Sequence, residues 1–94
     1  MTIDLSLKNK ELYEGCEIEE VAGRLNLITP VSKAIYIVGR NIEKLVIEDN
    51  QVILTGAMAI WAYLVVFHSV VHRVKAVYYN DGKDLNSYLV AKHG

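Results

Sequence analysis

Apolar and polar residues alternate at the start of the chain, with Ile3, Leu5 and Leu7 set against Asp4 and Ser6. That period of two predicts a half-buried strand. The next patterned stretch, "EIEEVAGRLN", places Ile18, Val21, Ala22 and Leu25 at helical spacing, with Glu17, Glu19 and Glu20 near the positive end of the expected helix. Thr29-Pro30 interrupts regular structure. Ala34–Gly39, "AIYIVG", then reads as a buried strand ending at a glycine turn. "KLVIEDNQVIL" reads as two short β segments about Asp49-Asn50, residue types that tolerate a positive φ.

After Leu54-Thr55-Gly56 the pattern changes. From Ala57 to about His72 nearly every residue is apolar, which predicts a helix without a wet face. Val74–Tyr79 reads as a strand, Asn80-Asp81-Gly82 as a turn, and "SYLVAKH" as a last strand. The expected fold is α/β or α+β, a two-layer sandwich of a mixed sheet and two helices, formed by residues 1–94 as one domain. The apolar helix must be covered on more than one side. The sheet covers one side, and a second copy of the chain is expected on the other.

Composition sharpens that expectation. The chain is 52% apolar over 94 residues, with a mean hydropathy of +0.20, and so small a domain has little core in which to hide such content. A homodimer or homotetramer follows. The longest unbroken apolar run, Ala57–Phe67, is short of the roughly 20 residues that span a bilayer, so no membrane segment is expected. Ten Lys+Arg against eleven Asp+Glu, without a basic run, argue against duplex DNA as a partner. Cys16 is the one cysteine, so no internal disulfide forms; with no signal-like apolar block at the N-terminus, a cytoplasmic setting is expected.

The chemistry-bearing residues cluster in the second half. His68 and His72 stand four apart, on one helix face, a spacing that suits a metal pair or two proton-transfer groups. Asp81, Asp84 and His93 are the candidate further ligands. Thr55-Gly56-Ala57-Met58 joins a strand to the start of a helix, where free N–H groups and small side chains receive phosphate. Arg73, Lys75, Lys83 and Arg40 supply positive charge for a compact anion. The same residues also have plainer readings: helix-end histidines favoured by the dipole, a common strand-to-helix turn, and a solvated charged edge.

The run "VILTGAMAIWAYLVVFHSVVHRVKAVYYND…YLVAKH" resembles the conserved half of the small single-domain ring nucleases of type III CRISPR systems. The shared features are the strand Val52–Leu54, the Gly56 turn, the Ile60-Trp61 pair opening an apolar helix, His68 and His72 at its end, Val77-Tyr78, the acidic turn at Asp81, and His93 after the last strand. The likeness covers about the last 45 residues. It implies binding of cyclic tetra-adenylate and its cleavage to linear oligoadenylate, which switches off antiviral signalling. It also implies dimers that sandwich the cyclic RNA, and manganese as a cofactor. Under it, His68, His72 and Asp81 are catalytic, with His72 and Asp81 as metal ligands; Thr55, Gly56, Ala57, Met58, Arg73, Lys83 and His93 contact the ligand.

Three features depart from that family, one being that its histidines stand closer together than His68 and His72. Ala57, Met58 and Ala59 stand where its glycines and a proline precede the Ile-Trp pair, and its Asp follows the Tyr strand directly, whereas here Asn80 intervenes. Three readings are therefore open: a cyclic oligoadenylate phosphodiesterase, a non-catalytic sponge or sensor for the same ring, and a structural homo-oligomeric subunit without a nucleotide.

Overall fold

A computed structural model describes residues 1–93. It contains a mixed four-stranded sheet, a separate two-stranded sheet and two helices. In chain order these are β1 (Thr2–Asp4), β2 (Ile18–Val21), β3 (Arg24–Leu27), α1 (Val31–Lys44), β4 (Gln51–Thr55), α2 (Ile60–Val70), β5 (Ala76–Tyr79) and β6 (Tyr88–Lys92).

The main sheet has the order β1-β4-β5-β6. The first three strands are parallel and β6 returns antiparallel to β5. Each step from β1 to β4 to β5 moves sideways in the same direction, so right-handed crossovers set both helices on one face. They pack on each other and close the expected two-layer α+β arrangement. Val52 and Leu54 of β4, Ile3 of β1 and Val77 of β5 point into the core, against Val38 and Ile42 of α1 and Ala62, Val66 and Val70 of α2.

The first half of the chain departs from the sequence pattern. Residues 18–27 form a hairpin, not a helix. Its two-residue turn puts both Ala22 (φ 53°) and Gly23 (φ 77°) in the left-handed region. That is the backbone of a hairpin turn whose twist matches the strands. A helix through these residues would also carry Gly23 in its interior, at a cost of about 1 kcal/mol relative to alanine.

Val31–Lys44 is a helix, where the pattern suggested a strand at Ala34–Gly39. Ala34, Val38 and Ile42 recur every four residues and are the buried stripe. The exposed Ile35 and Tyr36 fill out the apolar run that mimics a buried strand. Pro30 sits immediately before the helix as its N-cap residue, where its missing N–H costs nothing. Gly39 lies at the helix crossing; a Cβ there would stand 3.7 Å from Val65 Cγ1. Of the two β segments expected at Lys44–Leu54, only the second forms.

The apolar helix forms over a shorter span than its composition suggested, Ile60–Val70. Ala62, Val66 and Val70 are buried, whereas Ile60, Leu64 and His68 make an exposed stripe that points away from the sheet. Its outer face is therefore apolar and uncovered within one chain. No helix among the described residues is long and apolar enough to cross a membrane.

Candidate functional site

The strand–helix–strand unit β4–α2–β5 sends α2 back across the sheet, antiparallel to its strands. The molecule thus has two distinct ends. Three contacts fix which residues belong to each. Tyr63, in the first turn of α2, donates its hydroxyl to Gly56 O at 2.6 Å, and its ring meets Tyr79 edge-on at 5.6 Å. At the other end, Lys75 N–H donates to Asn50 O at 2.8 Å.

The glycine end lies at the carboxyl ends of the parallel strands, where open α/β sheets place their ligands. Gly56 follows β4 with φ 108°. Its space is fully occupied by β1: an added Cβ would overlap the Asp4 carboxylate and stand 2.8 Å and 2.9 Å from the backbone nitrogens of Ser6 and Leu5. Asp4 in turn accepts from Ser6 N–H at 2.8 Å and from Ser6 Oγ at 3.0 Å. Leu5 N–H donates to Thr55 O at 2.7 Å. Asn80 N–H donates to Leu54 O at 3.0 Å, bringing the loop after β5 beside the Gly56 turn. Thr55, Gly56, Ala57, Asp81 and Lys83 therefore share this end. Met58 is half-buried against the core and serves packing. The helix begins at Ile60 with no side-chain cap on its first turn; Ala62 N–H donates to Ala59 O at 3.1 Å, and the N–H groups before it face the same end.

The loop from Asn80 to Ser87 holds its own shape. Asn80 Oδ1 accepts from Gly82 N–H, Asp81 Oδ1 from Lys83 N–H and Asp84 Oδ1 from Asn86 N–H, each within 2.8 Å. Such turns are local alternatives to regular structure. Asp81 thus has a structural duty beside any chemical one.

The histidine end is elsewhere. His68 and His72 are exposed, and their rings meet edge-on with centroids 5.7 Å apart, as the spacing of four predicts. His93 joins them through its N–H to Lys75 O at 2.7 Å. Arg73, expected to contact ligand, instead donates Nη1 to Ile42 O at 2.9 Å and Nη2 to Leu45 O. It caps the C-terminus of α1, where a cation is favoured.

The eleven residues of α2 separate the two ends by roughly 16 Å at 1.5 Å per residue. His72 and Asp81 therefore do not meet in one chain, and no group of three or more His, Cys, Asp or Glu among the described residues is placed to hold a metal. The residues of one chain do not fit a manganese ion bound by this pair. Sequence reasoning passed over Asp4 and Ser6. Asp4-x-Ser6 at the end of a predicted strand was the available signal, since that spacing makes a side-chain-closed turn.

Burial pushes the Tyr63 hydroxyl above its ordinary pKa, with Tyr79 and Asp4 adding to the shift. It therefore stays a donor to Gly56 O at neutral pH. Burial likewise raises the Cys16 thiol, the opposite of what a reactive cysteine needs. Comparison with protein-family models, with curated proteins and with solved structures finds no match.

Proposed function

We propose that this protein binds cyclic oligoadenylate at its glycine end and cleaves it with histidines supplied by a second copy of the chain. The observation that carries the composite form of this reading is the separation of the two ends. The resemblance asks for His68, His72 and Asp81 at one phosphodiester, and one chain holds them roughly a helix length apart. Only contact between copies unites them.

The glycine end offers the N–H groups at the start of α2, the exposed Ala57 and Lys83 to a phosphate. The paired imidazoles suit acid–base cleavage. One accepts the proton of the attacking hydroxyl as its oxygen bonds to phosphorus. The other protonates the leaving oxygen as the old P–O bond breaks. Asp81 orients the attacked phosphate's surroundings, and no step passes through a metal.

A second reading, a sponge that holds the ring intact, draws on the Asp81 Oδ1 bond to Lys83 N–H, which already employs that carboxylate in the turn. Incubation of the protein with cyclic tetra-adenylate, with and without manganese, followed by chromatography of ring, linear product and complex, separates the readings. Linear product supports the nuclease, and a retained intact ring supports the sponge. Absence of both cleavage and binding would leave a homo-oligomeric subunit of the same fold.

A further inference from the structure

His68 and His72 are exposed side chains on a firmly held stretch of backbone. Val66 and Val70 flank His68, Val70 and Val74 flank His72, and all three valines are buried. The helical path also outlasts α2 itself. Val71 keeps helical angles, φ −60° and ψ −28°; its N–H donates to Phe67 O at 2.9 Å, and Arg73 N–H donates to Val70 O at 2.9 Å. The four-residue spacing of the histidines is therefore a geometric fact of the fold, since side chains four apart on a helix lie one above the other.

That geometry comes close to a chelate. A tetrahedral ion bound by one nitrogen of each ring at about 2.0–2.1 Å sets the ring centres about 5 Å apart. The two centroids stand at 5.7 Å, so rotation of two exposed rings closes a gap of less than about 1 Å. Neither ring has to leave a buried position to do so.

The charges nearby do not oppose a cation. The last carbonyls of α2 carry the negative end of its dipole. Arg73, next to His72 in sequence, turns its guanidinium onto Ile42 O and Leu45 O at the end of α1. Arg40 lines the groove beside His68, and Glu43 lines the same groove and offsets it.

We propose that His68 and His72 chelate one divalent ion of the zinc, nickel and copper class in each chain, with water in its remaining positions. Imidazole nitrogen selects such ions, whereas manganese, magnesium and calcium prefer carboxylate, carbonyl and water oxygen. The site thus differs in ligands and in metal from the His72–Asp81 manganese pair, which one chain cannot form. It rests on the helix alone and not on the nucleotide reading. If that reading holds, a bound zinc ion occupies the nitrogens that move protons and blocks cleavage.

The test titrates zinc chloride and manganese chloride into the whole protein, with Cys16 kept reduced and no nucleotide present. Calorimetry should show one zinc ion per chain at submillimolar concentration, and manganese bound about tenfold or more weakly. In proton NMR, zinc should shift the ring signals of His68 and His72 and leave those of His93 in place. His68→Ala and His72→Ala should each weaken zinc binding about tenfold or more, while His93→Ala and Cys16→Ser change it by less than about twofold. No zinc binding below about 1 mM, ring shifts confined to other residues, manganese bound as well as zinc, or unchanged affinity in either histidine variant would each overturn the proposal. The ring signals of the unmodified chain decide the matter if a variant does not fold.

Discussion

Replacing Gly56 by alanine tests the architecture of the glycine end. The residue has φ 108°, and holding an L-residue there costs about 1–3 kcal/mol. The new methyl would also overlap the Asp4 carboxylate and crowd the backbone nitrogens of Leu5 and Ser6 at 2.9 Å and 2.8 Å. Those nitrogens cannot retreat freely, because Leu5 N–H is bonded to Thr55 O. Asp4 would have to swing away and give up its two bonds from Ser6, worth about 1 kcal/mol each at an exposed site. The sum is about 3–5 kcal/mol, against about 5–14 kcal/mol expected for a chain of this length. At about 4–8 °C per kcal/mol, Tm should fall by roughly 12–40 °C. Gly23→Ala is the internal control: φ is 77° and no atom lies within 4 Å of the added Cβ, so only the backbone term of about 1–2 kcal/mol remains. Thermal unfolding followed by circular dichroism reads both. Equal losses in the two variants would refute the crowding at β1. A Gly56→Ala loss that Asp4→Ala partly restores would confirm it.

Other predictions concern the rest of the frame. Arg73→Ala should cost about 1–2 kcal/mol in urea unfolding by uncapping α1, and should leave affinity for cyclic tetra-adenylate unchanged within about twofold, a free-energy change near 0.4 kcal/mol. Tyr13 is buried and donates to Leu5 O. Burial, then Cys16, Asp4 and Tyr63, raise its pKa far above the ordinary value. Because the folded pKa is raised, its contribution is complete below the unfolded value of about 10 and is lost as pH rises beyond it, by up to about 1.4 kcal/mol per unit. Stability measured from pH 8 to 11 should thus fall above about pH 10 in the native chain and less steeply in Tyr13→Phe.

The parts of this structure that were legible in the sequence had one consistent period. β1 shows a period of two, β4 is a short apolar run closed by Thr55-Gly56, the apolar helix has length without charge, and the last two strands are bounded by Asn80-Asp81-Gly82. The misread parts carry two periods at once. Ile18, Val21 and Leu25 satisfy helical spacing, yet Ile18 and Glu20 pair with Leu27 and Leu25 across a hairpin. The deciding feature was Ala22 at positive φ, a conformation that alanine does not advertise. In α1 the exposed Ile35 and Tyr36 hid the buried Ala34, Val38 and Ile42 stripe.

At the candidate site, the spacing of His68 and His72 was legible, and their rings do meet. Their distance from Asp81 was also implicit in the order strand, helix, strand. A helix that returns a parallel strand puts its own C-terminus and the end of the next strand at opposite ends of the sheet. Grouping residues by resemblance passed over that consequence. Arg73 was unreadable for a different reason: its acceptors, Ile42 O and Leu45 O, lie 31 and 28 residues away.

Subunit mixing tests the composite site most directly. His72→Ala and Asp81→Ala would be purified separately, assayed alone on cyclic tetra-adenylate, and then assayed after dissociation and reassembly together. The account predicts that each variant alone forms no linear product. The mixture should recover about a quarter of the wild-type rate, the share of randomly paired interfaces that join an intact Asp81 to an intact His72. A mixture as inactive as its components, or a variant active by itself, would contradict a site shared between two copies.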